Sequence, residues 1–340
     1  MKHKYGRIIV GGSIVLVIGI VFYGFAGYAY LNRQRVVDQL RVWKFTPTAA
    51  ISEQVHRTGM SGDGKFLYLA SEPTIESKTN FNTVCSVVTA DTSILGCYIS
   101  RTQRSYIYRE TDSRLDGTEE LWAAHEMLRA AWDRMSPTQR ASLRGPLATV
   151  LMASTDESIN LSGRIADVNR DDPTDREAEL YAIVGTEVPI VGTTLERNYS
   201  QYFVSRDAVT KLAAHARSYV VALKLKVDAL STTISDLGRT IDKRVKTFNS
   251  SAHKLDSAIS SFNSRARTPG GFATLAQFNA ERAVLISRQH ALRATMSSIN
   301  HQVDAFNANL KKLRGLSETA ASLIKSLNVE LAPLPDLSNA

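Results

Sequence analysis

From Val227 onward, large apolar residues return at every seventh position, and no other feature of the 340-residue chain restricts its fold as much. Val227, Ile234, Ile241, Phe248, Leu255 and Phe262 make one row. Phe278, Leu285, Leu292, Ile299, Phe306, Leu313, Ala320 and Leu327 make another, and Thr268-Pro269-Gly270-Gly271 interrupts the repeat between them. A seven-residue period keeps one helical face apolar and requires that face to meet another helix. Two such arms around a short Pro-Gly-Gly turn predict an antiparallel coiled-coil hairpin over 206–332, turning near 267–272. Each arm, about 58 residues, would extend roughly 87 Å. A partial companion row, Leu275, Met296, Val303, Leu310 and Ile324, is expected at the second seam position. Arg244, Ser251, Arg282, Gln289 and Ser317 place polar groups among the seams, which weakens a coil and pins its register. The plainer alternative is two helices bundled onto a globular part, but arms this long exceed what a small domain covers. The same pattern also serves zipping with another chain.

Charge divides the molecule into modules. Lys and Arg number 7 against 1 acidic residue over 1–44, 15 against 22 over 45–205, and 19 against 10 over 206–340. An acidic middle between basic flanks argues against a uniformly basic nucleic-acid binder, and no recognised nucleic-acid motif accompanies the basic end. Ile8–Leu31 is uncharged and long enough for a hydrocarbon core of about 30 Å. It is expected to be a transmembrane anchor after a cytoplasmic tail (1–7) and before a stem (32–44); a cleaved signal peptide is the alternative. Cys85 and Cys97 are the only cysteines. A disulfide between them suits an oxidising compartment and places the bulk of the chain outside a single-pass membrane; two buried thiols are the other reading.

Over 45–205 the pattern is mixed. Lys65–Ser71 (KFLYLAS), Ser93–Ser100 (SILGCYIS) and Arg104–Glu110 (RSYIYRE) read as strands. The last, with Tyr106 and Tyr108 on one face, is expected at a sheet edge. Leu121, Ala124, Leu128, Trp132 and Met135 then follow helical period, with Asp116 or Thr118 to cap the start. Ser136-Pro137-Thr138-Gln139 predicts a capping box opening the next helix. Ala166–Glu179 is an acidic surface loop whose spacing misses a calcium-binding loop. Glu177–Val188 returns to helical period before Pro189.

Inside the first of those helices stands His125-Glu126-Met127-Leu128-Arg129. In H-E-x-x-H two imidazoles one turn apart converge on zinc, and the glutamate acts as base for the metal-bound water. Here a guanidinium occupies the second ligand position, and it has no lone pair to offer a cation. Rescue would need His56 or His215, or a weak set of His125 with Glu179 and Glu187. Three readings follow: an ordinary helix, a rearranged zinc enzyme, or a site in which Arg129 replaces the metal and pairs Glu126 and Glu179.

Ile94–Tyr98 (ILGCY), Ser113–Gly117 (SRLDG), Ala123–Leu128 (AAHEML), Gly185–Val188 (GTEV) and the FNA triplets at Phe278 and Phe306 carry a resemblance. In this order, from about Phe45 to Leu337, the chain resembles an uncharacterised family of membrane-anchored bacterial proteins from reduced-genome lineages. That resemblance implies an α+β zincin-like extracytoplasmic domain followed by a long coiled coil, with presumed metallopeptidase activity. Family members typically read H-E-M-L-H, and E-L-H before G-T-E. This chain has Arg129 and Tyr181 at those two ligand positions, which implies a degenerate site with Glu126 as a vestigial base and His125, Glu179 and Glu187 as vestigial ligands. The expectation is therefore a membrane-anchored pseudo-metallopeptidase without a cofactor. It would bind or scaffold at the cell envelope through self-association or anionic envelope polymers, and not through nucleic acid. The alternative is an active zinc peptidase docking peptides along Arg104–Glu110.

Overall fold

Three short helices open the described part of the chain, and local capping explains where two of them begin. The computed structural model describes residues 32–85, 95–154, 173–326 and the single positions 159, 161 and 165. In α1 (Arg33–Lys44), α2 (Ala49–Arg57) and α3 (Gly62–Ala70), Thr48 caps α2 by accepting from the Ile51 amide, and Ser61 caps α3 by accepting from Gly64. Lys65–Ser71, expected as a strand, is therefore mostly helix. A short apolar run fits either structure, and here Tyr68, Leu69 and Ala70 turn one helical side into the core. Gly64 is required by contact: a Cβ there would lie 2.1 Å from the Tyr202 carbonyl oxygen.

Strand β1 (Thr74–Glu76), helix α4 (Lys78–Cys85), strand β2 (Gly96–Ile99) and strand β3 (Arg104–Tyr108) follow. The sheet order is β1-β3-β2, with β1 parallel and β2 antiparallel to β3. The expected edge strand is thus the central one, and its backbone groups are taken up on both sides. Cys85 at the end of α4 is disulfide-bonded to Cys97 in β2, and Phe81, Leu95 and Tyr108 pack around the bond.

Helix α5 (Thr118–Arg134) carries the HEML stretch and forms the centre of this unit. Gly117, at φ 90°, is its N-cap, with no side-chain cap; Asp116 instead pairs with Arg57. The expected stripe of Leu121, Ala124, Leu128, Trp132 and Met135 is buried, but so are Ala123, Met127, Ala130 and Ala131. Full burial of side chains the size of Met127 or Leu128 contributes roughly 1.5–3 kcal/mol each. Helices α2, α3 and α6 (Pro137–Ala153), α7 (Pro173–Glu187) and α8 (Thr193–Tyr199) complete the enclosure together with the sheet. The Ser136–Gln139 capping box at the start of α6 forms in both directions. α1 is a docked helix and not a free stem: Asp38 is buried and receives two hydrogen bonds of 2.8 Å from Arg134.

Two long helices follow, α9 (Arg206–Arg267) and α10 (Leu275–Ser326). The chain divides into two compact units, the second being Val220–Leu323. Within that unit the two arms run antiparallel: Arg244 donates to Gln302 at 2.8 Å, and Arg265 pairs with Glu281. In both pairs the residue numbers add to 546, so the register does not slip between them. Every described residue of the two leading heptad rows is buried or half-buried. The companion row differs from expectation. Leu275 and Met296 are 75% and 53% exposed, and the inner position is taken by the row through Glu281, Thr295, Gln302 and Leu316. Ile324 and Leu327 are outside the residues whose side chains are described.

Two expectations are overturned. Among the described residues 78% are helical and the sheet is a single three-stranded one, so the α+β zincin-like class does not hold. The sheet contributes strands of three, four and five residues, too short to share the core equally with the helices. Among the described residues no helix is long and apolar enough to cross a membrane, which conflicts with the expected single-pass, membrane-bound placement. The segment Ile8–Leu31 on which that placement rested lies outside the described residues.

Candidate functional site

On α5, positions 122, 125, 126 and 129 share one face by helical spacing. The sequence fills them with Trp122, His125, Glu126 and Arg129, and the only carboxylate from another element brought against them is Glu179 of α7, among the contacts described. His125 is 1% exposed, and its Nε2 lies 3.1 Å from Glu179 Oε2. Arg129 donates from Nη1 to that same oxygen at 3.0 Å. The Arg129 Nε stands 4.0 Å from Glu126 Oε2, the outer limit of an ion pair. The indole of Trp122 covers the imidazole, with ring centroids 4.8 Å apart.

Glu126 is fully buried, and among the described residues neither of its oxygens accepts a hydrogen bond. It packs on strand β2: a Cβ at Gly96 would meet Glu126 Oε1 at 2.9 Å. Burial pushes its carboxyl up to about 7; His125 and Arg129 pull the other way, and Glu179 adds to the rise. The Tyr98 backbone also favours ionisation, but as the smallest contribution and without hydrogen-bond geometry.

The remaining expected site residues go elsewhere. Glu187 is held by Arg217 of α9 at 2.8 Å. Tyr181 donates to Asn198 at 2.6 Å and stacks against Trp132 and Tyr199, with centroids 5.1 and 4.8 Å away. Trp132 lies seven residues, two helical turns, beyond His125, so position 181 belongs to another part of the core. His56 and His215 are both exposed. The structure thus joins His125, Glu126, Arg129 and Glu179, and leaves out Glu187 and Tyr181.

Zinc does not fit this donor set. The guanidinium of Arg129 already bonds the Glu179 oxygen that His125 faces, so a cation there would displace one positive group by another. Among the described residues no group of three His, Cys, Asp or Glu side chains is arranged to hold a metal ion.

Two other charged clusters had no signal in the sequence. Arg134 bonds Asp38 and the Tyr98 hydroxyl, which itself donates to Asp133 at 2.8 Å. Arg206, buried, bonds Glu196 and the carbonyls of Val188 and Pro189, closing the turn between α7 and α8. Both join residues of different elements, 96 positions apart for Arg134–Asp38 and 10 to 18 for Arg206 and its partners, so no spacing rule within one helix exposes them.

Comparison with protein-family models, curated proteins and solved structures finds no match for this chain.

Proposed function

We propose that this chain is a binding or scaffolding protein, in which the HEMLR helix is braced internally by an arginine–glutamate–histidine cluster and performs no metal-dependent hydrolysis. One observation carries the reading: Arg129 Nη1 and His125 Nε2 converge on the single oxygen Glu179 Oε2, at 3.0 and 3.1 Å. A guanidinium at that point supplies the positive charge that a zinc ion would bring, without an open coordination position for water. The peptidase alternative also loses its substrate track, because β3 is flanked on both sides and offers no free edge. The hairpin, with its exposed basic surface, is the element suited to partners, by charge and by helix packing.

Metal content tests this. Purified full-length chain is expected to contain no stoichiometric zinc and to cleave no peptide. Arg129→His should acquire zinc through the imidazole pair one turn apart, with Glu179 as third ligand. Adding Tyr181→His should contribute nothing, because that side chain faces Trp132 and Asn198. One tightly held zinc per wild-type chain, lost in His125→Ala, would overturn the reading.

A further inference from the structure

The second unit carries an apolar strip that its own packing covers only in part: Gly238, Ala252, Ile259, Val303 and Leu310 are half-buried, while Val245 and Met296 stay exposed. Label the leading heptad row of each arm a, so that d is the inner companion row and e the row 40° to the other side of a, by about 100° per residue. In the middle of the hairpin row d is polar: Arg244 and Ser251 on one arm, Thr295 and Gln302 on the other. Row e is apolar there instead. It reads Gly238, Val245, Ala252 and Ile259 on α9, and Met296, Val303 and Leu310 on α10. Each arm's apolar stripe is therefore centred between a and e, and the contact between arms consumes only part of it. Val245 remains 37% and Met296 53% exposed. By the register above, Gly238, Val245 and Ala252 lie level, within two residues, with Leu310, Val303 and Met296. The strip is thus continuous across both arms; Gly238 sits against Phe306 of the facing arm, where an added Cβ would meet the ring at 3.4 Å.

Its borders differ in charge, although Asp228 and Asp242 are each paired within α9, with Lys224 at 3.0 Å and Lys246 at 3.5 Å, which leaves Asp256 to carry the acidic side. Row b, next outward from e, carries Asp228, Asp242 and Asp256 on α9, but Arg293 and Arg314 on α10. We propose that this flank is a self-association surface on which two copies of the chain pack their hairpins side by side and parallel, α9 of one against α10 of the other. A two-fold axis along the hairpin sets the acidic border of each copy against the basic border of its partner. The antiparallel alternative sets acid against acid. In the parallel arrangement Asp256 falls one turn from the partner's Arg293, and Asp228 about one turn from the partner's Arg314.

The unit's charge, 15 Lys and Arg against 7 acidic residues over 220–323, opposes association at long range. Much of that excess, including Lys243, Lys254, Lys311 and Lys312, stands on rows away from the strip. A strip of three heptads on two helices buries roughly 1,100 Å² in total, the lower end for a specific interface. The contact is accordingly of the small, transient kind and is sought at micromolar chain concentrations. This inference does not depend on the reading of Arg129.

The test is the mass of the full-length chain by sedimentation equilibrium across the micromolar range. The wild type should pass from monomer to dimer. Val245→Asp with Met296→Asp should stay monomeric while circular dichroism retains the helix content. Asp256→Arg should weaken the dimer about tenfold, and adding Arg293→Asp should recover it. A wild type monomeric throughout sinks the proposal, as does association that survives Val245→Asp with Met296→Asp at undiminished helicity. Failure of the Arg293→Asp rescue overturns the parallel pairing.

Discussion

Arg129–Glu179 in the first unit and Arg265–Glu281 in the second are the same pair of residue types in opposite surroundings. The Arg129 side chain is 10% exposed, stands 4.0 Å from a second carboxylate, and shares the Glu179 oxygen with His125. The Arg265 side chain is 40% exposed at the hairpin end, with solvent to replace whatever it loses. A buried pair is costly to break because the surviving charge has nowhere to go, whereas an exposed pair contributes little. The first unit is therefore specified by a few enclosed charges, and the second by a long repetition in which no single polar contact matters much.

The sharpest way to break this contrast is Arg129→Ala. It leaves Glu126 and Glu179 facing each other in a buried space, and should cost about 3–5 kcal/mol in urea unfolding. A loss comparable to that of a surface pair would mean that the cluster is wetter than its geometry indicates.

The pH dependence should be nearly as large. Glu126 has its folded pKa raised to about 7, so the folded state holds the proton more tightly than the unfolded state. Stability from this group is complete at pH below about 4.5 and is lost as pH rises towards 7, by up to about 3 kcal/mol. Glu126→Gln should remove that slope, measured as the change in unfolding free energy between pH 5 and pH 8.

Opening the disulfide should cost about 2–3 kcal/mol, since Cys85 and Cys97 are 12 residues apart and close a short loop. The variant carrying Cys85→Ser and Cys97→Ser should show it as a lower melting midpoint of the first unit alone. The smallest effect belongs to the hairpin: Arg265→Ala should leave the melting midpoint unchanged within error, at low salt and at high salt.

The hairpin was legible because its information is local. A seven-residue period needs only neighbours in the chain to define a face, and the Pro269-Gly270-Gly271 break needs only its own backbone preferences. For the same reason β2, β3, the helix through His125 and the Ser136 capping box could be placed in advance, and the approach of Arg129 to Glu126 follows from helical spacing.

Whatever depended on partners distant in sequence escaped such reading. Lys65–Ser71 is apolar enough for a strand, but capping by Ser61 and packing under Tyr202 make it helix. Arg104–Tyr108 alternates like an edge strand, yet β1 closes its second side. Glu187 and Tyr181 share a helix with Glu179, and the packing of α7 sends each to a different neighbour: Arg217, Trp132 and His125. In the hairpin, the companion row that faces inward on α10 is the more polar one, with Thr295 and Gln302 half-buried while Met296 is 53% exposed, so apolar content alone did not identify it. Periodicity names the faces of an element, because it is a property of a single helix or strand. Assigning those faces to partners requires the long-range contacts whose free energy exists only once the chain has folded.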